Sequence, residues 1–351
     1  MAPVVRGLGI ANPPLYVSQS EAFEFYSSHF TLGTDEKALY RRLLLDGPIR
    51  GRYVGMDRKE DACDTDPDRL NARFLKYARR TAAAAAAKAL DEARLCAADI
   101  GGLVVNTCTG YLCPGLTSYV SEDLALGHGV RTLDIAGMGC GAALPNLEAA
   151  AGLLALDGEK PVLSIAVEMC SATLFMGADP MLIVSNSIFG DGAAAAILQR
   201  DGAGGGLVRV LDFASGVYPS YRGQLQYRQE GGRLRNVLGL KVPHIGARTA
   251  HEVLRRLLER RRITHDAVKW WAVHAGGTAV LDQIERELGL DPRALRFSLD
   301  VFQTYGNMSS ASVLFVLKRI IEEGRPCGGD LGVLLSFGAG FSAFAVLVEF
   351  L

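Results

Sequence analysis

The stretch FGDGAAAAIL, residues 189–198, is matched near the end of the chain by FGAGFSAFAVLVEF, residues 337–350. Each begins with a Phe-Gly turn and continues as an apolar run typical of a buried strand. Each also closes a similar series of strands and helices, so the pattern indicates an internal duplication. A glycine-rich run, DGAGGG at 201–206, separates the two series. We therefore predict an N-terminal half over residues 1–203 and a C-terminal half over residues 204–351.

Strand patterns alternate with helical patterns in both halves, which predicts an α/β architecture. The predicted strands lie at 100–110, 161–170, 193–200, 270–276, 330–340 and 343–350, and the predicted helices at 79–95, 141–156, 247–262, 278–288 and 309–323. The helix at 79–95 is rich in alanine, whose small side chain predicts close packing against neighbouring elements. The polar segment at 217–235 is expected to form a hairpin or a loop over a pocket.

The composition of the chain excludes several classes of protein. Its 351 residues carry a net charge of −1, with 49% hydrophobic and 21% charged residues, so we expect a sizeable core and no nucleic-acid partner. The seven cysteines form no CxxC pair, so we expect a reduced, cytoplasmic protein without a metal site. The start of the chain lacks a signal-peptide pattern, and no apolar run reaches the length of a membrane span.

Three polar residues stand at element junctions where small residues open a helix. They are Cys140 in GMGCGAAL, His274 in WWAVHAGG and Asn307 in TYGNMSSAS. A helix N-terminus and a nearby imidazole both lower a thiol pKa, so we expect Cys140 to be a thiolate nucleophile. The small residues around it predict clearance for a substrate's acyl group. A Cys, His and Asn set is found in proteases, acyltransferases and condensing enzymes, but the papain-type cysteine signature is absent.

In five stretches the chain resembles the type III polyketide synthases, the chalcone-synthase-like branch of the thiolase superfamily. The stretches are GMGCGAA, SIFGDGAAAAIL, WAVHAGGTAVLDQIE, YGNMSSASVLFVL and SFGAGF, in the family's order. The resemblance implies a five-layered αβαβα thiolase-like fold built from two similar halves. It also implies a homodimer that uses acyl-CoA and malonyl-CoA as substrates and needs no further cofactor. GMGC and NSIFGDG are more similar to bacterial members than to plant chalcone synthases.

The resemblance also implies a role for each residue of the set. Cys140 would accept the starter acyl group from coenzyme A and then hold the growing chain. His274 and Asn307 would bind the thioester carbonyl of malonyl-CoA and stabilise the enolate that decarboxylation leaves. The enolate would attack the acyl group on Cys140, and the extended chain would cyclise to a pyrone or a resorcinol-type product. Phe189 would be the gatekeeper between the coenzyme A tunnel and the cavity.

Further positions are implied to line the substrate site. They are Cys108, Thr109, Cys170, Gly276, Gly277, Ser309, Gly338 and Gly340, with Arg42 at a coenzyme A phosphate site and Cys113 in a loop that reaches the partner subunit's cavity. A second aromatic gatekeeper is expected near 236–237, where this chain has Asn and Val. This departure predicts medium or long acyl starters in place of coumaroyl-CoA.

Three alternatives stay open at this point. The first is a ketoacyl-acyl carrier protein synthase III, which shares the fold and the triad. The second is a synthase of the dihydroxyphenylacetyl-CoA type that uses malonyl-CoA alone. The third is a non-catalytic thiolase-fold subunit that stabilises a partner, although an intact Cys, His and Asn set argues against it.

Overall fold

The computed structural model describes residues 2–157, 159–202 and 204–351. The strands are β1 Pro3–Ala11, β2 Leu15–Ser18, β3 Gly51–Val54, β4 Gly102–Asn106, β5 Arg131–Ile135, β6 Val162–Met169, β7 Asp191–Arg200, β8 Val208–Val217, β9 Leu225–Glu230, β10 Arg233–Leu238, β11 Val268–Val273, β12 Leu331–Gly338 and β13 Ser342–Phe350. The α-helices are α1 Gln19–His29, α2 Thr34–Leu44, α3 Pro67–Ala93, α4 Leu116–Asp123, α5 Ala143–Asp157, α6 Pro180–Ile188, α7 Val242–Arg261, α8 Thr278–Leu288, α9 Arg296–Tyr305 and α10 Ser312–Arg319.

The largest sheet repeats one strand order on either side of its middle. Outward from the junction, the first half runs β1-β7-β6-β4-β5 and the second runs β8-β13-β12-β11. In each half, the last two strands along the chain are antiparallel to each other: β6 with β7 in the first half, and β12 with β13 in the second. The next pair outward in the sheet is parallel in both halves: β4 with β6, and β11 with β12. The two matched stretches therefore form equivalent strands, β7 and β13. The boundary between 203 and 204 stays a prediction, and Ala203 lies outside the described residues.

The helices complete five layers. Helix α3 covers the outer face of β1, β6 and β7, while α7 covers the outer face of β8, β12 and β13 with α8 beside it. Helices α5 and α10 lie between the two halves and contact strands of both. The αβαβα arrangement implied by the resemblance is thus confirmed. Among the described residues, none of the helices is long and apolar enough to span a membrane.

The alanine run of α3 allows the close packing that the sequence predicts. A Cβ atom added at Gly7 or Gly9 of β1 would overlap the carbonyl oxygens of Ala89 and Ala85. The α3 backbone therefore lies directly on the β1 backbone, which only small side chains on both elements permit. The helix begins at Pro67 rather than at residue 79, because Asp66 caps its first turn and proline suits the first helical position.

Most other predicted elements form where expected. Helix α8 has the predicted bounds, whereas α7 begins five residues early and the predicted helix at 309–323 is divided into a 3₁₀ turn, α10 and a π-turn. The polar segment after residue 217 forms a 3₁₀ turn followed by the hairpin of β9 and β10, in which Asn236 pairs with Tyr227.

Candidate active site

Cys140 lies in a 3₁₀ turn, Gly139–Gly141, that leads directly into α5. The glycines around it serve a purpose in addition to the clearance predicted from the sequence, which stays a prediction. Gly139 has a φ of +61°, and an added Cβ would lie 2.8 Å from the Ala339 nitrogen. A Cβ at Gly338 would overlap the Met138 carbonyl oxygen. The turn between β12 and β13 thus packs backbone to backbone against the nucleophile turn, and the glycines are required for that contact.

His274 and Asn307 come from the second half of the chain. His274 directly follows β11, and Asn307 follows the Gly306 that ends α9. Gly306 has a φ of +70°, which favours glycine, and a Cβ there would lie 2.5 Å from the Ile188 carbonyl oxygen. Both residues line one cavity of about 440 Å³ together with Cys140. The structure therefore brings the three predicted residues together across the junction of the two halves.

The orientation of the Asn307 amide is fixed by its neighbours. The Ser309 backbone N–H donates to Oδ1 at 2.8 Å, and Nδ2 donates to the Gly276 carbonyl oxygen at 3.1 Å. An amide nitrogen carries two hydrogens, so one N–H is left for a ligand in the cavity. Asn307 can therefore supply a positioned hydrogen-bond donor to a substrate carbonyl.

His274 is a neutral imidazole in this environment. Burial lowers its pKa to about 4, because the charged form loses its hydration. Its Nδ1 is buried and has no hydrogen-bond partner within the described chain, so Nε2 is the nitrogen that the cavity can reach. Gly276 packs beside Nε2, where an added Cβ would lie only 3.2 Å away. A neutral ring with a cavity-facing nitrogen can accept a proton or donate one, depending on its tautomer.

The state of Cys140 differs from the thiolate expected from the sequence. Burial raises the pKa of its thiol to about 12, and the hydrogen bond that the Ser309 hydroxyl donates to Sγ at 3.4 Å offsets only part of that shift. The desolvation cost of a buried thiolate therefore outweighs this hydrogen bond. Without a substrate, the site holds a thiol and a neutral imidazole, which is suited to base-assisted attack.

A buried carboxylate behind the nucleophile was not assigned a role from the sequence. Glu168 of β6 is fully buried, and it accepts hydrogen bonds from the Cys108 N–H at 3.0 Å, the Thr109 hydroxyl at 2.9 Å and the Ser310 hydroxyl at 2.5 Å. Burial raises its pKa, which these hydrogen bonds partly offset. Its signal in the sequence is one acidic residue within the otherwise apolar strand VLSIAVEM.

This carboxylate is linked to the nucleophile through two side chains. The Cys108 thiol lies 3.4 Å from Oε2 of Glu168 and 3.2 Å from the Ser309 hydroxyl, which in turn contacts Cys140. Ser309 has a φ of +49°, an uncommon conformation for a residue other than glycine. The predicted positions Cys108, Thr109 and Ser309 thus form one hydrogen-bonded network beside Cys140.

The remaining predicted positions are distributed around two cavities. Phe189, Gly276, Gly277 and Arg42 line the large cavity, and Phe189 and Cys170 line a smaller one of about 60 Å³. Gly338 and Gly340 lie at the turn after β12, behind Cys140. Cys113 is exposed and is absent from the walls of both cavities within the described residues.

Two family models match most of the chain. Residues 60–206 match the FAE1/type III polyketide synthase-like proteins, and residues 217–351 match the C-terminal domain of chalcone and stilbene synthases.

Curated relatives match the chain over nearly its full length. The 3,5-dihydroxyphenylacetyl-CoA synthase of Streptomyces toyocaensis is 31% identical over 99% of this chain and 90% of that protein. The 1,3,6,8-tetrahydroxynaphthalene synthase of Streptomyces peucetius subsp. caesius is 30% identical over 98% of this chain and 92% of that protein.

Solved structures agree with these relatives. The tetrahydroxynaphthalene synthase of Streptomyces coelicolor A3(2), a bacterial type III polyketide synthase, superposes with a TM-score of 0.90 at 27% identity over 99% of each chain. These matches favour a type III polyketide synthase over both a ketoacyl-acyl carrier protein synthase III and a non-catalytic subunit. With the Cys, His and Asn set on one cavity, they show that this chain belongs to the type III polyketide synthases, the acyl-transferring condensing enzymes of the thiolase fold.

Proposed function

We propose that Cys140, His274 and Asn307 carry the condensing activity. The observation that supports this most directly is their convergence, from both halves of the chain, on one cavity of about 440 Å³. Its walls are mainly apolar and include Leu43, Ile49, Met181, Val184, Leu238 and Leu240. Arg42 stands on the wall of the same cavity, in the last turn of α2, where a cation can pair with a coenzyme A phosphate.

Loading begins with proton transfer from the Cys140 thiol to Nε2 of His274. The resulting thiolate attacks the acyl-CoA carbonyl, the bond from carbon to the coenzyme A sulfur breaks, and the leaving thiolate takes up the proton. Because burial disfavours both charged forms, the ion pair of thiolate and imidazolium forms only as the thioester reacts. The Ser309 hydroxyl, which donates to Sγ, stabilises the developing negative charge on sulfur.

Decarboxylation follows in the same cavity. The malonyl carbon–carbon bond breaks, carbon dioxide leaves, and the electron pair becomes an enolate whose oxygen accepts the free Nδ2 hydrogen of Asn307 and the Nε2 hydrogen of His274. For this step the imidazole is in its Nε2–H tautomer, whereas loading uses the neutral tautomer that carries its hydrogen on Nδ1. The enolate carbon attacks the acyl carbon on Cys140 and displaces the sulfur. The product is a coenzyme A thioester that is two carbons longer. Each step uses coenzyme A thioesters and the chain's own side chains, and requires no further cofactor.

The starter class is an acyl-CoA with a flexible apolar chain, and the products are alkylpyrones or alkylresorcinols. Asn236 occupies the expected position of the second aromatic gatekeeper. It is buried, accepts a hydrogen bond from Ser185 and lines the smaller cavity. The Asn236 side chain is smaller than an aromatic side chain, so it leaves space at the cavity wall that an aromatic ring would fill. A synthase that uses malonyl-CoA alone is the competing possibility.

The proposed assembly is a cytoplasmic homodimer. The Cys113 loop is exposed beside Tyr111, which has 76% of its surface accessible. The neighbouring strand β5 is at the edge of the large sheet and its residues are largely exposed. An apolar, exposed loop beside an open strand edge supports contact with a second copy. Light scattering tests this: a fully active monomer at micromolar concentration would contradict the proposal.

The function is tested by incubating the purified protein with malonyl-CoA and a panel of acyl-CoA starters and analysing products and protein by mass spectrometry. We expect an acyl adduct on Cys140, release of carbon dioxide and chain-extended products. The Cys140→Ala variant is the control for the adduct. The proposal fails if the wild-type protein gives neither adduct nor carbon dioxide with any member of the panel.

A further inference from the structure

Arg52 of β3 is a buried cation outside the set described above. Only 5% of its surface is accessible, and it lines the smaller cavity together with Phe189. Within the described part of the chain, its hydrogen bonds all end on neutral oxygen atoms. Burying a guanidinium is costly unless its donors are well satisfied. Its charge lowers the pKa of the buried Asp191 carboxyl, against the larger effect of burial, and the location of its hydrogen-bond acceptors indicates a second role.

Two of the three acceptors of Arg52 lie at the C-terminal end of α6. Its Nη1 donates to the carbonyl oxygens of Asn186 and Phe189, both at 2.7 Å. Its Nε donates at 2.9 Å to Gln19, whose own amide donates at 2.9 Å to the Ser187 carbonyl oxygen. The last carbonyls of a helix lack partners within the helix and carry its negative dipole end. A cation is therefore stabilised at this position, and in turn it fixes the end of the helix.

The same segment also forms hydrogen bonds with the backbone of Asn307, through Ile188 and Gly190. The Asn307 N–H donates to the Ile188 carbonyl oxygen at 2.8 Å, and the Gly190 N–H donates to the Asn307 carbonyl oxygen at 3.0 Å. The stem of Arg52 also packs against Gly306, where an added Cβ would lie 3.0 Å from its Cγ. The four carbonyls from Asn186 to Phe189 are thus all satisfied, by Arg52, Gln19 and Asn307.

We propose that Arg52, supported by Gln19, is a positioning residue that fixes the end of α6 and thereby places both Phe189 and the Asn307 amide at the cavity. Arg52 does not touch the reacting atoms. It acts through the backbone that pairs with Asn307, so its removal displaces the donor for the enolate oxygen and leaves Cys140 and His274 in place. This inference rests on the proposed role of Asn307 in decarboxylation.

The test compares the two half-reactions in Arg52→Met, Arg52→Lys and Gln19→Leu. Malonyl-CoA decarboxylation is measured as carbon dioxide release, and loading is measured as acylation of Cys140 by hexanoyl-CoA. For Arg52→Met we expect decarboxylation to fall by about 10-fold to 10²-fold, the scale for a misplaced catalytic group, with loading nearly unchanged. Arg52→Lys restores part of the loss, since an ammonium can donate to one of the carbonyls. Gln19→Leu gives a smaller loss in the same direction.

The matched control is Arg50→Met. Arg50 lies two residues earlier, has an exposed side chain and donates to the Thr304 hydroxyl, so the variant loses the same charge without uncapping α6. An unchanged ratio of the two half-reactions in folded Arg52→Met, or an equal loss of both, overturns the inference. If Arg52→Met does not fold, the ratio of decarboxylation to loading in Arg52→Lys and Gln19→Leu tests the inference instead. A wild-type protein that releases no carbon dioxide contradicts the proposed function instead.

Discussion

Replacing Asn307 separates decarboxylation from loading. In Asn307→Ala the free Nδ2 hydrogen is lost, and removal of one such donor costs about 10²–10³-fold in rate. Loading of Cys140 depends on the thiol and on His274, so it should continue. The change also leaves the Ser309 N–H, which is buried, without its acceptor at 2.8 Å. That loss should lower the free energy of unfolding by about 1–3 kcal/mol.

Asn307→Asp distinguishes the catalytic loss from the structural one. A carboxylate can still accept from the Ser309 N–H, but it places an oxygen where Nδ2 now donates to the Gly276 carbonyl oxygen at 3.1 Å. It also brings negative charge to the developing enolate. We expect decarboxylation to fall at least as far as in Asn307→Ala, with the bond to Ser309 retained.

The assay measures carbon dioxide release from malonyl-CoA and, separately, acyl transfer to Cys140 by mass spectrometry. Cys140→Ala is the opposite case: it should abolish condensation and retain part of the decarboxylation, because His274 and Asn307 remain. Equal loss of both half-reactions in Cys140→Ala and Asn307→Ala would show that the assigned roles are wrong.

Three further outcomes are expected. Because the pKa of Cys140 is about 12 and that of His274 about 4, alkylation of Cys140 by iodoacetamide should accelerate steadily from about pH 6 to about pH 9; a plateau in that range would indicate a preformed thiolate. Gly338→Ala should lower the free energy of unfolding by about 1–3 kcal/mol through overlap with the nucleophile turn, whereas Gly223→Ala, whose added Cβ meets no atom within 4 Å, should have little effect. Dodecanoyl-CoA should exceed coumaroyl-CoA in kcat/KM, since each buried methylene contributes about 0.8 kcal/mol, and Asn236→Phe should reduce that preference; greatest product formation from malonyl-CoA alone would contradict it.

The α/β class and the strand equivalence could be predicted from the sequence because the buried elements carry strong local patterns. Helix α8 has its predicted bounds, since glycines stand on both sides of it. Strand β5, with the sequence RTLDI, was missed because it is an exposed edge strand without a buried face. Its position depends on pairing with β4, which is information that no local window contains.

The site was predictable in its members but not in its electrostatics. Cys140, His274 and Asn307 were recognised because each stands at an element junction. The protonation state of Cys140 depends on how deeply the folded chain buries it, and a local sequence pattern does not contain that information. Glu168 and Arg52 were missed for a related reason: most of the hydrogen bonds that give them importance join them to residues more than fifty positions away.

The shared middle layer has a consequence for synthesis on the ribosome. Leu144, Leu147 and Leu154 of α5 belong to the same buried cluster as Leu314 and other residues of α10. While the chain is translated, this face of the first half stays uncovered until more than 300 residues have emerged. A nascent chain with so much apolar surface is prone to associate with its neighbours. Slower production at low temperature, or a supply of chaperones, should therefore raise the yield of active enzyme more than changes to its surface.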